Sequence, residues 1–188
     1  RYTNEILSGD IHTANMKAAG LTDRNQAKTF IYAFLYGAGA AKIGQIVGGG
    51  YREGQQLIDS FLRNTPALAK LREKVAKHAT AGTLPALDGR RLRVRSEHAA
   101  LNTLLQGAGA IVMKQALVLL SESLHRYDIP HKLVANVHDE FQIEAPENFA
   151  DVVGKAAVRA IKNAGDVLDL RCPLDAEYNV GNNWAETH

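Results

Sequence analysis

Residues 132–145 read KLVANVHDEFQIEA. Val, Ile and Phe are spread through it in the manner of two short β runs, and only His138-Asp139 stands between them, room for a very short turn and nothing more. Such turns ordinarily carry Asn-Gly or Asp-Gly, so a carboxylate at the tip of apolar strands has few structural reasons to be there. His138, Asp139 and Glu140 put three ionisable groups on one rigid turn, which can offer an oxygen ligand to Mg²⁺, with Asp139 the expected ligand. An exposed polar turn without any chemistry fits the same letters. Zinc fits less well, because the chain has one cysteine and no H-E-x-x-H.

Working outward, a helix is expected from Glu147 to Ala164, followed by a last extended segment, PLDAEYNV. On the other side, Leu101, Leu104, Ala108, Ile111, Leu119 and Leu124 recur at helical spacing and predict one long helix from Glu97 to Tyr127, weakened locally by Gly107 and Gly109. Before it, LPALDGRRLRV sets Asp88-Gly89 between two short extended runs, as in a tight hairpin. Upstream of Leu84 the pattern is helical throughout. Asp10 caps a helix that ends near Gly20, and Asp23 caps another that runs through RNQAKTFIYAFLY to Gly37. A short helix follows at Ala40 to Val47, and two more at Tyr51 to Arg63 and Pro66 to Ala81. The expected class is α+β, a helical part followed by a mixed part, with no repeat and no Ser/Pro-rich linker.

Composition limits the rest. Of 188 residues, 46% are apolar and 22% charged, which excludes general disorder. The longest uncharged stretch, Ala99 to Met113, is too short to span a bilayer, so no membrane partner is expected. The start, RYTNEILSGD, lacks a basic-then-apolar leader, and a chain opening on Arg is expected to be an excised piece. Cys172 alone makes no internal disulfide, which fits a reducing, cytoplasmic setting. Net charge is only +2, yet Arg90, Arg91, Arg93 and Arg95 crowd together into a local phosphate-holding patch.

Arg24, Lys28, Tyr32 and Tyr36 are spaced by four, so a helix lines them up as two cations followed by two rings. The cations suit phosphate oxygens and the rings suit a sugar or base, an order that matches a nucleoside triphosphate. His12, on the preceding helix, can add a donor. A solvated amphipathic face has the same spacing. The following YGAGAAKIG is not a phosphate-cradling G-x-x-x-x-G-K-[ST] loop and reads as a helix terminus.

Five stretches in this order, GDIHT, RNQAKTFIYAFLYGAG, LDGRRLRVRSEHAALNTLLQGAGA, VANVHDEFQIEA and NNWAETH, resemble the C-terminal part of a family A DNA polymerase of the bacteriophage replicative type. The resemblance covers nearly the whole chain. It implies a fingers subdomain over residues 1–82, of which 1–8 are palm edge, and the C-terminal part of a palm over 83–188. His12, Arg24 and Lys28 then resemble the triphosphate contacts, Tyr32 the ring under the incoming sugar, and Tyr36 the residue in the template-base position before closure. Asp139 resembles a palm carboxylate that binds catalytic Mg²⁺, with His138 and Glu140 near the primer end. Asn102 and Gln106 resemble minor-groove readers and Arg95 a residue near the DNA backbone. At position 98 many relatives have Arg where this chain has His, so no DNA contact is carried over there.

The implied partners are DNA primer-template and deoxynucleoside triphosphates, with room for a processivity partner in the parent, and the implied location is the cytoplasm, of the host if the source is viral. The family's other palm aspartate sits in a motif resembling D-x-S-x-L-E, which this chain does not contain. A two-metal clamp needs both carboxylates, so the parent is expected to extend DNA and the isolated piece to be inactive. The alternatives are a non-enzymatic nucleic-acid-binding module, using Arg90 to Arg95 with Tyr32 and Tyr36 as stacking platforms, and an inert helical scaffold.

Overall fold

Asp10 and Asp23 each start a helix, and the backbone shows how. In the computed structural model, which describes residues 2–188 and leaves position 1 of the first expected part outside the described residues, Asp10 is extended and its side chain accepts from the backbone N of His12 at the head of α2 (Ile11–Ala19). Asp23 does the same for Asn25 at the head of α3 (Arg24–Leu35). These caps satisfy amides that no preceding turn of helix can reach. Gly20 closes α2 in the left-handed region at φ 76°. A short α1 (Tyr2–Ser8) precedes them, and α4 (Ala40–Ile46), α5 (Tyr51–Asn64) and α6 (Pro66–Ala79) follow, with Pro66 in the first turn of α6.

The chain divides into two compact units. One runs to Ala86 and resumes over Arg90–Leu105. Three phenylalanines meet inside its largely aliphatic core: α3 buries Ala27, Phe30, Ile31 and Phe34, and the Phe61 ring of α5 meets Phe30 edge-on at 5.2 Å and Phe34 at 5.5 Å. Arg72 of α6 lies 5.3 Å over the Phe34 ring. Helices α4 and α5 approach so closely that a Cβ on Gly54 would stand 1.8 Å from the Ala40 carbonyl oxygen, so only glycine fits there. In the same unit β1 (Thr83–Pro85) pairs antiparallel with β2 (Arg91–Arg93), Leu84 opposite Leu92. Ala86 N donates to Arg90 O, and Gly89 takes φ 83° at the turn, as expected for Asp88-Gly89.

The other unit holds Leu87–Gly89 and Gln106–His188. A 3₁₀ turn (Glu97–Ala99) leads into α7 (Ala100–Arg126), which begins in the first unit and continues into the second. Strands β3 (Lys132–Val137) and β4 (Glu140–Glu144) pair antiparallel with a register shift between Leu133 and Ala135. Behind them α8 (Glu147–Val167) contributes Val153 and Ala160 to a core with Leu120 and Leu124 of α7, against which Phe141 and Ile143 pack. A short α9 (Trp184–Thr187) ends the chain. The class is α+β, helices with two small antiparallel hairpins.

Two details differ from the sequence reading. The segment PLDAEYNV joins no strand ladder among the described residues. It is tied instead to α8, through Tyr178 hydroxyl to Asp151 and through Lys162 to Asp175 at 3.0 Å. The stretch Glu97–Arg126 is long and apolar enough to cross a bilayer by length and composition, because apolar residues resume beyond the single Lys114. Its apolar character has a packing use: Ala100, Leu101, Ile111, Met113, Ala116, Leu120 and Leu124 are all buried.

Candidate active site

Within the first unit, the burial of Ala27, Phe30, Ile31 and Phe34 forces another face of α3 outward. That face carries the expected stripe. Arg24 and Lys28 are exposed, Tyr32 is 46% and Tyr36 55% exposed, and the two rings stack at 6.4 Å with 23° between their planes.

Arg24 has a partner the sequence reading missed. Its Nε lies 2.7 Å from Oδ2 of Asp10 and its Nη2 3.1 Å from Oδ1, a two-pronged ion pair. The Arg24 guanidinium, then the Thr13 hydroxyl at 2.8 Å, hold the Asp10 carboxyl well below the usual carboxylate range, and the Arg24 pKa rises in return. The only hint in the sequence is that Asp10 opens the helix next to the one Arg24 begins. His12, half-buried on α2, has its Nδ1 buried with no hydrogen-bond partner among the described residues.

Also in this unit, strand alternation turns Arg91 and Arg93 outward on either side of Leu92, and Arg95 is exposed just beyond. Asn102 is half-buried in the first turn of α7, one turn before the exposed Gln106.

In the second unit, Val137 pairs with Glu140, so His138 and Asp139 alone make the turn. His138 adopts φ 52°, a left-handed conformation that non-glycine residues visit sparingly. Both side chains are exposed, and among the described residues nothing hydrogen-bonds to or ion-pairs with the Asp139 carboxylate. Glu140, the first residue of β4, is different. One of its oxygens accepts from Gln142 Nε2 and the other lies 2.8 Å from His188 Nδ1. The Gln142 amide first, and then His188, lower its pKa below the ordinary value. Thr187 Oγ1 donates to Gln142 Oε1 at 3.2 Å, so the chain end is fastened to β4 twice. Gln142 and His188 were not singled out from the sequence, since nothing local announces contacts across such separations.

For Mg²⁺ the fit is partial. Asp139 supplies one unengaged carboxylate, and Mg²⁺ takes one or two, completing its shell with water and phosphate. Among the described residues no group of three or more His, Cys, Asp or Glu side chains gathers to hold a metal. These residues do not build a two-ion clamp by themselves.

Comparison with known proteins agrees with this architecture. The DNA-directed DNA polymerase of Escherichia phage T7 is 45% identical over 209 aligned residues, covering 100% of this chain and 30% of that protein. The corresponding enzyme of Enterobacteria phage T3 is 44% identical with the same coverage, so the chain spans about a third of the length of these relatives. Among solved structures, the POL domain of Pol1 from M. smegmatis in complex with DNA primer-template and dNTP superposes with a TM-score of 0.75 at 20% identity, over 87% of this chain and 33% of that one. At this identity the likeness concerns the fold. A sequence model of the family described as "DNA polymerase family A" matches residues 6–186. The chain belongs to DNA polymerase family A.

Proposed function

We propose that this chain is the nucleotide-gripping and part of the metal-holding portion of a DNA polymerase that carries out template-directed nucleotidyl transfer. The α3 stripe carries the reading: an anchored Arg24, an exposed Lys28 and two stacked rings stand in line on one helix face. In this reading residues 1–82 are fingers, with 1–8 palm edge, and 83–188 the C-terminal part of the palm. The partners are primer-template and deoxynucleoside triphosphate, in keeping with the solved relative described in complex with both.

The primer 3′-hydroxyl attacks the α-phosphorus of the incoming nucleotide and gives up its proton to solvent; the new 3′-O–P bond forms as the bond from the α-phosphorus to the α–β bridging oxygen breaks, and pyrophosphate leaves with that oxygen. His12, Arg24 and Lys28 bind the triphosphate, and Lys28, a compact cation, offsets the charge that builds on the leaving oxygens. Tyr32 lies beneath the sugar, and Tyr36 fills the template-base position until the nucleotide arrives. Asn102 and Gln106 read the minor groove of the new pair, and Arg95 steadies the backbone. His138 and Glu140 flank the primer end. Asp139 would hold Mg²⁺, which supplies Lewis-acid stabilisation of the phosphates when bound. Because the chain holds one such aspartate, the isolated 188 residues catalyse no incorporation.

Lys28→Ala in the full-length protein tests the reading. Single-turnover incorporation falls on the order of a hundredfold, and an unchanged rate rejects it.

A further inference from the structure

Asp10 sits where two functions meet. Its carboxylate caps α2 through the backbone N of His12 at 3.0 Å and the Thr13 hydroxyl at 2.8 Å. The same two oxygens take the Nε and Nη2 of Arg24 at 2.7 and 3.1 Å. A guanidinium has two usable edges. Here the Nε/Nη2 edge is spent on Asp10, and among the described residues the Nη1/Nη2 edge engages nothing.

We infer that Asp10 is a positioning residue for the triphosphate: it clamps one edge of Arg24 so that the other is presented ready-made to phosphate oxygens, and it fixes the backbone of His12 in the same act. The inference rests on the reading of α3 as the triphosphate-binding helix. An arginine at the first position of a helix, about half exposed, would otherwise sample many rotamers, and each would have to be frozen on binding. Held by a carboxylate that is itself fixed as a helix cap, it gives up that freedom beforehand. The arrangement has a cost, because a carboxylate beside a polyanion repels it. The sign of the net effect is therefore what an experiment must read.

The test uses the full-length protein on a primer ended with a dideoxynucleotide, so that the next dNTP binds without being transferred. Asp10→Asn and Asp10→Ser both retain a side-chain helix cap, so a role confined to capping leaves dNTP affinity as in the wild type. Positioning predicts that both raise the dNTP dissociation constant about tenfold, with the thermal midpoint within a degree or two of wild type. It also predicts that neither adds to the loss caused by Arg24→Ala, because the carboxylate then has nothing to position. Wild-type affinity in both variants, tighter binding, or a full additional loss on top of Arg24→Ala each overturns the inference. If Arg24→Ala itself leaves affinity unchanged, the reading of α3 fails, and with it this one; if Arg24→Ala weakens binding while the Asp10 variants do not, only the inference about Asp10 fails.

Discussion

His188 Nδ1 lies 2.8 Å from Oε2 of Glu140, and the two residues are 48 positions apart. The contact fastens the last helix to the strand that follows Asp139, and Trp184 meets the His188 ring edge-on at 6.5 Å.

Glu140 is a carboxyl whose pKa in the folded chain is lowered from its ordinary value, by the Gln142 amide first and then by His188. Its contribution is therefore fully present above the ordinary carboxylate range and fades as pH falls through the lowered value. Trp184, the only tryptophan, reports it. In this chain its emission carries an acid-induced change that falls below the ordinary carboxylate range, and Glu140→Ala lacks that change. Identical spectra for the two proteins contradict the attachment.

Among the described residues Asp139 has no partner to lose. Asp139→Asn changes folding stability by less than about 0.5 kcal/mol, while metal-dependent incorporation by the full-length protein disappears. A folded variant with wild-type turnover removes Asp139 from the metal site.

Gly54→Ala places a Cβ 1.8 Å from the Ala40 carbonyl oxygen. Helices α4 and α5 must separate, at a cost on the order of 3 kcal/mol, read as faster amide exchange in both helices with little change in α8. Protection equal to wild type means that the helices yield more easily than their packing suggests.

Phe61 is fully buried between Phe30 and Phe34. Phe61→Ala leaves a cavity that costs about 3–5 kcal/mol. Amide exchange in α3 accelerates as well, because the aromatic face of that helix loses its counterpart. An α3 exchange pattern indistinguishable from wild type argues against this packing.

The caps at Asp10 and Asp23, the Gly20 stop and the hairpin around His138-Asp139 were legible because each depends on chemistry within a few residues. The exposed stripe on α3 was legible for the same reason, since spacing by four fixes which side chains share a face. The Arg24–Asp10 clamp was not, because it needs α2 and α3 packed side by side before the two side chains can meet. The same holds for Glu140 with His188, and for Tyr178 with Asp151. In PLDAEYNV attachment was not legible: sequence alternation says nothing about whether a ladder partner exists, and this segment meets a helix. In α7 the apolar period was legible: Leu101, Ile111 and Leu124 are buried and Leu104, Ala108 and Leu119 half-buried, while Leu105 and Val118, outside that period, are 39% and 51% exposed.

Two residues join β3 to β4, and His138, one of them, already takes the positive φ that so tight a turn demands. The loop has no spare length. Exchanging Asp139 alters charge with the register kept, but inserting a single amino acid would rotate or lift the acidic tip away from where the ladder sets it. The reach of the acidic tip is thus set by the register of the ladder and not by slack in the loop.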